Sequence, residues 1–61
     1  MIATEKVITS LQGEGELSIM EIAASADLDI REVEEALDYL SVEGKIATQL
    51  DQDRWVYRLV A

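Results

Sequence analysis

Apolar positions along the chain fall into three stretches with helical spacing, followed by two with strand spacing. In the first, Val7, Ile8 and Leu11 form one stripe at the i, i+1, i+4 spacing of a half-buried helix. The pattern predicts a helix from about Thr4 to Gln12, ended by Gly13. Gly13 and Gly15 then alternate with Glu14 and Glu16, a mobile acidic turn leading into Leu17 and a strand of one or two residues.

Two helix starts follow in the same grammar. Ser18 with Glu21 three residues on predicts a capping box: the hydroxyl accepts from the Glu21 amide, while the carboxylate accepts from the Ser18 amide. Leu17 and Ile22 flank it as a hydrophobic staple. This second helix turns Ile19, Ile22, Ala23 and Ala26 inward, its small residues Ala23, Ala24 and Ala26 let another helix come close, and it ends near Asp27. Asp29 with Glu32, and Leu28 against Val33, repeat the device. A third helix is expected from Ile30 to about Val42, burying Ile30, Val33, Ala36, Leu37 and Leu40, with Gly44 just past its end as a left-handed cap. Two helices joined by so tight a turn make a helix-turn-helix.

After Gly44 the period changes to two. Ile46, Thr48 and Leu50 share one strand face, and Ala47 and Gln49 the other. Asp51, Gln52 and Asp53 form a polar hairpin tip, and Trp55 to Val60 is a β-branched and aromatic return strand. Trp55 and Tyr57 alternate on one face and are expected to cap the core. The order helix, short strand, helix, turn, helix, hairpin predicts an α+β winged helix: a three-helix bundle with a helix-turn-helix plus a C-terminal β-hairpin wing, filling residues 1–61 as a single domain.

Composition narrows what such a domain can do. At 61 residues the chain is near the lower limit for an unassisted core. Apolar residues make up 49%, but the aromatics are only Trp55, Tyr39 and Tyr57, so aliphatic side chains carry the packing and leave no room for a deep pocket. The absence of cysteine removes disulfides, thiolate metal sites and cysteine nucleophiles. No apolar run approaches the roughly 18 residues of a membrane span, and the start MIATEK lacks the basic end and apolar stretch of a signal peptide. The chain therefore reads as soluble and unprocessed, without membrane association, in the cytoplasm or in the nucleoid or nucleus.

Candidate chemistry is sparse. With neither His nor Cys, zinc sites, His-based acid–base catalysis and base-assisted serine nucleophiles lose their usual members. Asp51 and Asp53 begin like a calcium loop, but the sixth position is Val56 where glycine is needed and the chain ends before the twelfth. Gly13 and Gly15 have no following Lys, and Glu14 and Glu16 beside them would repel a phosphate. Of the serines Ser10, Ser18, Ser25 and Ser41, none has a base of suitable type. The expectation is no enzyme, no cofactor, no metal and no small-molecule substrate.

Charge shifts attention to the surface. Five basic against 13 acidic residues give a formal charge of −8, which repels polyphosphate and favours basic partners. A base-reading helix presents Arg, Lys, Asn or Gln to the major groove. Here Arg31, Glu34, Glu35 and Asp38 follow i, i+3, i+4, i+7, with Glu32 beside them. The main expectation is a non-enzymatic interaction module, whose acidic helix-three and wing surface docks a basic helix or a second copy of the chain. Glu34, Glu35 and Asp38 would steer that partner and Tyr39 would anchor it. Acidity that only solvates a small domain, or adapts it to high intracellular salt, fits the same residues. The alternative is a DNA-binding transcriptional regulator contacting nucleic acid through Arg31, Lys45, Arg54 and Arg58, the last three gathered around the wing.

The segment EALDYLSVEGKIATQLDQDRW, residues 35–55, resembles the C-terminal winged-helix domain of the middle subunit of replication protein A. The shared features are an Ala, an apolar-aromatic pair and Leu-Ser on the last helix, then Glu-Gly, a basic residue and Ile, an acidic wing tip and an aromatic. That family's domain chiefly receives helices from repair and replication proteins. The resemblance implies acidic contacts at Glu43, Asp51 and Asp53, with Thr48 lining the strand beside them. The same Ala-Leu, Glu-Gly-Lys-Ile and wing pattern is also similar to small prokaryotic winged-helix proteins of unassigned function, described as DNA-binding regulators.

Overall fold

A computed structural model describes residues 2–60. The elements are α1 (Ile2–Glu14), β1 (Glu16–Ser18), α2 (Ile19–Ala26), α3 (Ile30–Val42), β2 (Ile46–Asp51) and β3 (Arg54–Leu59). Three helices pack beside a three-stranded antiparallel sheet of order β1-β3-β2, so the winged-helix plan and its α+β class are as expected.

Both capping boxes form. The Glu21 amide donates to Ser18 Oγ at 3.3 Å and the Ser18 amide to Glu21 Oε1 at 2.8 Å. The Glu32 amide donates to Asp29 Oδ1 at 2.8 Å and the Asp29 amide to Glu32 Oε1 at 3.2 Å. Each staple feeds the core: Leu17 and Ile22 are buried, and half-buried Leu28 packs on the cluster that contains Val33. Because both helix starts are fixed in this way, the turn between them is short. Asp27 takes a left-handed conformation (φ 57) there, and the Leu28 amide closes on the Ala23 carbonyl at 3.1 Å. Gly44 (φ 72) ends α3 as expected, with the Gly44 amide on Ser41 O and the Lys45 amide on Leu40 O, the paired bonds of a Schellman turn.

The main core cluster is Val7 and Leu11 of α1, Leu17, Ile22 of α2, the α3 stripe Val33, Ala36, Leu37 and Leu40, and Ile46 of β2, and Val56 of β3 is buried as well. Burying a side chain of this size contributes about 1.5–3 kcal/mol. Several boundaries differ from the sequence expectation. Helix α1 runs from Ile2 through Gly13 to Glu14; Gly15 (φ 90) is the residue that needs left-handed backbone, and its amide bonds Leu11 O at 2.8 Å. Gly13 stays in the helix because the ladder beyond it can still be closed. Ile30, the first residue of α3, is 41% exposed, because it lies before the turn whose stripe meets α1. In α2 only Ile22 is fully buried; Ile19, Ala23 and Ala26 are half-buried.

The wing is a hairpin with a two-residue tip, Gln52 and Asp53, since Asp51 pairs with Arg54 and belongs to β2. Both tip residues have positive φ, 49 and 69, the twist that a two-residue hairpin requires. Register partners point their side chains to the same side. Ile46, Thr48, Leu50, Trp55, Tyr57 and Leu59 therefore share one face, and Lys45, Ala47, Gln49, Asp51, Arg54, Val56 and Arg58 the other. Tyr57 and Leu59 pack on the core, but Trp55 is 56% exposed. The expectation that Trp55 caps the core fails because it lies one pair from the tip, past the point where the helices reach the sheet.

Candidate functional site

Helix α3 lies across the first of these sheet faces and leaves a groove of about 580 Å³ between them. Its wall on the helix is Arg31, Glu34, Glu35, Asp38 and Ser41; its floor is Ile19, Leu37, Ile46, Thr48 and Tyr57. Helical spacing explains the wall, since these side chains project from the side of α3 turned away from the buried Val33, Ala36 and Leu40. Strand spacing explains the floor, since Thr48 and Tyr57 are cross-strand partners.

The wall carries three carboxylates against one guanidinium. Arg31 Nε sits 3.7 Å from Glu35 Oε2, an exposed i, i+4 pair that contributes a few tenths of a kcal/mol. Towards the tip the same sheet face continues as Leu50 and Trp55, opposite each other and both more than half exposed. An apolar step thus adjoins an acidic wall.

The opposite sheet face has different chemistry. Lys45, Arg54 and Arg58 all lie on it by register. Carboxylates accompany them: Glu16 is the cross-strand register partner of Arg58, Asp51 that of Arg54, and Arg54 NH1 donates to Glu21 Oε1 at 2.9 Å. That bond ties the wing to the start of α2. The Ser18 amide, and after it the Arg54 guanidinium, hold the Glu21 carboxyl below the usual glutamate range.

Among the residues singled out from sequence, the structure brings Arg31, Glu34, Glu35, Asp38 and Thr48 to one groove. Tyr39 is half-exposed and does not line it; Glu43, Asp51 and Asp53 lie outside it, at the end of α3 and at the tip. Sequence reasoning missed the apolar floor, Ile19 and Tyr57, and the Leu50–Trp55 step. The alternation of Trp55 and Tyr57 carries that signal, but the same alternation is what core-facing residues show. It also missed Glu21 as the partner of Arg54, a contact 33 residues apart in the chain that no local spacing encodes.

Among the described residues, no cluster of three His, Cys, Asp or Glu side chains is disposed to hold a metal. No helix among them is long and apolar enough to cross a membrane.

No curated protein matches the chain. Among solved structures it is similar to BpsR of Bordetella bronchiseptica, a protein whose DNA binding is regulated by 6-hydroxynicotinic acid: 19% identity, 95% of this chain and 43% of that one, TM-score 0.89. A MarR family transcriptional regulator from Silicibacter pomeroyi DSS gives 24% identity over 95% of this chain and 40% of that one, TM-score 0.88. The Zalpha domain of Carassius auratus PKZ, solved with Z-DNA, gives 22% identity over 95% of this chain and 92% of that one, TM-score 0.83. At these identities the likeness is one of fold, and the chain spans less than half of the two regulators. A family model, "Winged helix-turn-helix domain (DUF2582)", matches residues 3–59. Together with the two capped helices and the hairpin this identifies the chain as a member of the DUF2582 family of winged helix-turn-helix domains.

Proposed function

We propose that the chain is a non-enzymatic regulatory module that contacts DNA, and that its wing leads the contact. The fold supports this reading, because similar domains occur in a MarR family regulator, in BpsR and in a Z-DNA complex. One observation of this chain carries the manner of contact: Lys45, Arg54 and Arg58, three of its five basic residues, share the sheet face turned away from the carboxylate wall. Inserting α3 into a major groove would set Glu34, Glu35 and Asp38 against phosphates and base edges, so the helix serves as a spacer and the hairpin tracks the backbone. Such binding is weak, indifferent to sequence and steep in salt. Three phosphate contacts give a slope of log affinity against log salt of about −3. This reading puts the domain in the compartment that holds DNA.

Titration of the full chain with generic duplex DNA at low salt, followed by backbone amide shifts, tests it. Shifts along Lys45, Ala47, Arg54 and Arg58 that vanish in K45E/R54E/R58E are the expected result. Shifts confined to α3, or none at all, would overturn it.

A second reading is favoured by the groove itself, where three carboxylates stand over an apolar floor beside Leu50 and Trp55. Here the domain docks a basic segment of another protein, with Glu34, Glu35, Asp38 and Thr48 as the contacts. The two surfaces lie on opposite faces of the sheet. Fold comparisons weigh towards DNA; the local charge of α3 weighs towards the protein partner.

A further inference from the structure

We propose that the partner entering this groove is an extended segment of another protein, rich in alternating basic residues, which adds as a fourth strand to the free edge of β2. The inference rests on the docking reading and names its mode.

Strand β2 is an outer strand of the sheet, with β3 on one side and, among the described residues, no strand on the other. In a two-residue hairpin the pair next to the tip is hydrogen-bonded, and bonded and non-bonded pairs then alternate. Asp51–Arg54, Gln49–Val56 and Ala47–Arg58 are the bonded pairs by this rule, and the bond from the Val60 amide to Lys45 O at 3.0 Å continues the series. The amides and carbonyls of Thr48 and Leu50 consequently point away from β3. Both residues are exposed.

Outer strands are normally guarded by an inward-pointing charge, a proline or a bulge. The stretch Ile46–Leu50 has none of these: its residues are Ile, Ala, Thr, Gln and Leu, and the register with β3 runs unbroken from Ile46 to Asp51. A strand laid there would direct alternate side chains to the groove side, towards the α3 wall of Glu34, Glu35 and Asp38, and would pass Leu50 and Trp55 near the tip. Its intervening side chains would lie beside Ala47 and Gln49 on the other face.

Charge selects the occupant. The one cation on the wall, Arg31, is already paired with Glu35, so the wall offers uncompensated negative charge to cations at every second position. A second copy would bring another charge of −8 and place carboxylates against carboxylates, so self-pairing through β2 is the disfavoured occupant.

The test uses the full chain and a short synthetic peptide of alternating Lys and Val, with an alternating Glu and Val peptide as control. Saturable binding of the Lys peptide alone is expected, with amide hydrogen exchange slowed at Thr48 and Leu50. Thr48→Pro removes one outward donor without touching the β3 ladder and should weaken binding roughly tenfold or more. E34Q/E35Q/D38N should weaken it similarly and flatten its salt dependence. A Lys peptide N-methylated along the edge it presents to β2 repeats the first variant's logic on unmodified protein, should Thr48→Pro fail to fold. Failure of the Lys peptide to bind would overturn both the docking reading and this inference. Carboxylate-dependent binding with no protection at Thr48 and Leu50, and no effect of N-methylation, would keep docking and overturn strand addition. Protection of those amides by self-association, without peptide, would overturn it in favour of a second copy.

Discussion

Leu40 and Leu50 are the same side chain in two regions built on different terms. Leu40, in the last turn-and-a-half of α3, is 1% exposed and belongs to a core that every helix feeds; Leu50, one pair from the hairpin tip, is 55% exposed. The helices are pinned at their starts by reciprocal caps and along their length by aliphatic packing. The wing is held by its β3 ladder, by buried Ile46 and Val56 with half-buried Tyr57 and Leu59 at its base, and by one tie from Arg54 to Glu21. The lesson is a division of labour: stability resides in the helices and the base of the wing, and the wing's outer half is left available to a partner. Leu40→Ala should cost about 2–5 kcal/mol. A chain of this length has a total stability of about 3–9 kcal/mol, so the variant should lose a large share of it. Leu50→Ala should cost less than about 1 kcal/mol. Urea unfolding of both variants measures the contrast, and equal losses would show that the wing is part of the cooperative core.

Next in size are the caps. Ser18→Ala and Asp29→Ala should each lower stability by about 1 kcal/mol, since each leaves an amide at the third helical position without its acceptor. Ser18→Thr and Asp29→Ser should restore most of that. Because Ser18 also ends β1 and is paired with Val56, its loss should reach the β3 amides, whereas the loss of Asp29 should stay within α2 and α3. Hydrogen exchange separates the two patterns, and the same footprint for both would remove the distinction.

How much of this could be read from sequence follows the same division. The helix starts were legible because a cap is a local code: residue types three apart, flanked by a staple. Strand faces were legible because alternation survives wherever one side of a strand is buried. The groove was legible in part. Helical spacing put Arg31, Glu34, Glu35 and Asp38 together, but the floor depends on how α3 crosses the sheet, and neither Ile19 nor Tyr57 announces that crossing. The exposure of Trp55 is not legible, because a large aromatic on a strand's inner side has the same signature whether or not a helix extends far enough to cover it. Gly13 looks like the helix end because Gly13 and Gly15 stand two positions apart, and composition does not say which takes the positive φ. The Arg54–Glu21 tie was invisible, since it joins elements that meet only after folding.

The tip sharpens the contrast in the opposite direction. Gln52 and Asp53 both occupy left-handed backbone, which costs a non-glycine residue roughly 1 kcal/mol, more for Gln than for Asn or Asp. Q52N/D53G should therefore raise stability by about 0.5–1 kcal/mol, seen as a higher Tm with the hairpin register intact. A lower Tm would mean that the side chains at the tip make a contribution beyond the turn. The gain should be smaller than either cap loss, because the tip constrains only the wing.

The smallest effect is expected where the two regions touch. Glu21 accepts from the Ser18 amide and from Arg54, so its folded pKa lies below its unfolded one near 4.3. A depressed carboxylate adds stability that is fully present above the unfolded value and is lost as pH falls through the folded one. The window is thus below about pH 4.3, and Glu21→Gln should flatten the stability profile there while changing little in its shape near neutrality. Arg54→Met should raise the Glu21 midpoint only in part, because the cap amide is the larger cause and stays in place. Carboxyl chemical shifts of Glu21 against pH distinguish the two sources. A midpoint that returns to the ordinary range in Arg54→Met would assign the depression to the wing, and would make this contact a closer coupling of wing to helices than the cap geometry implies.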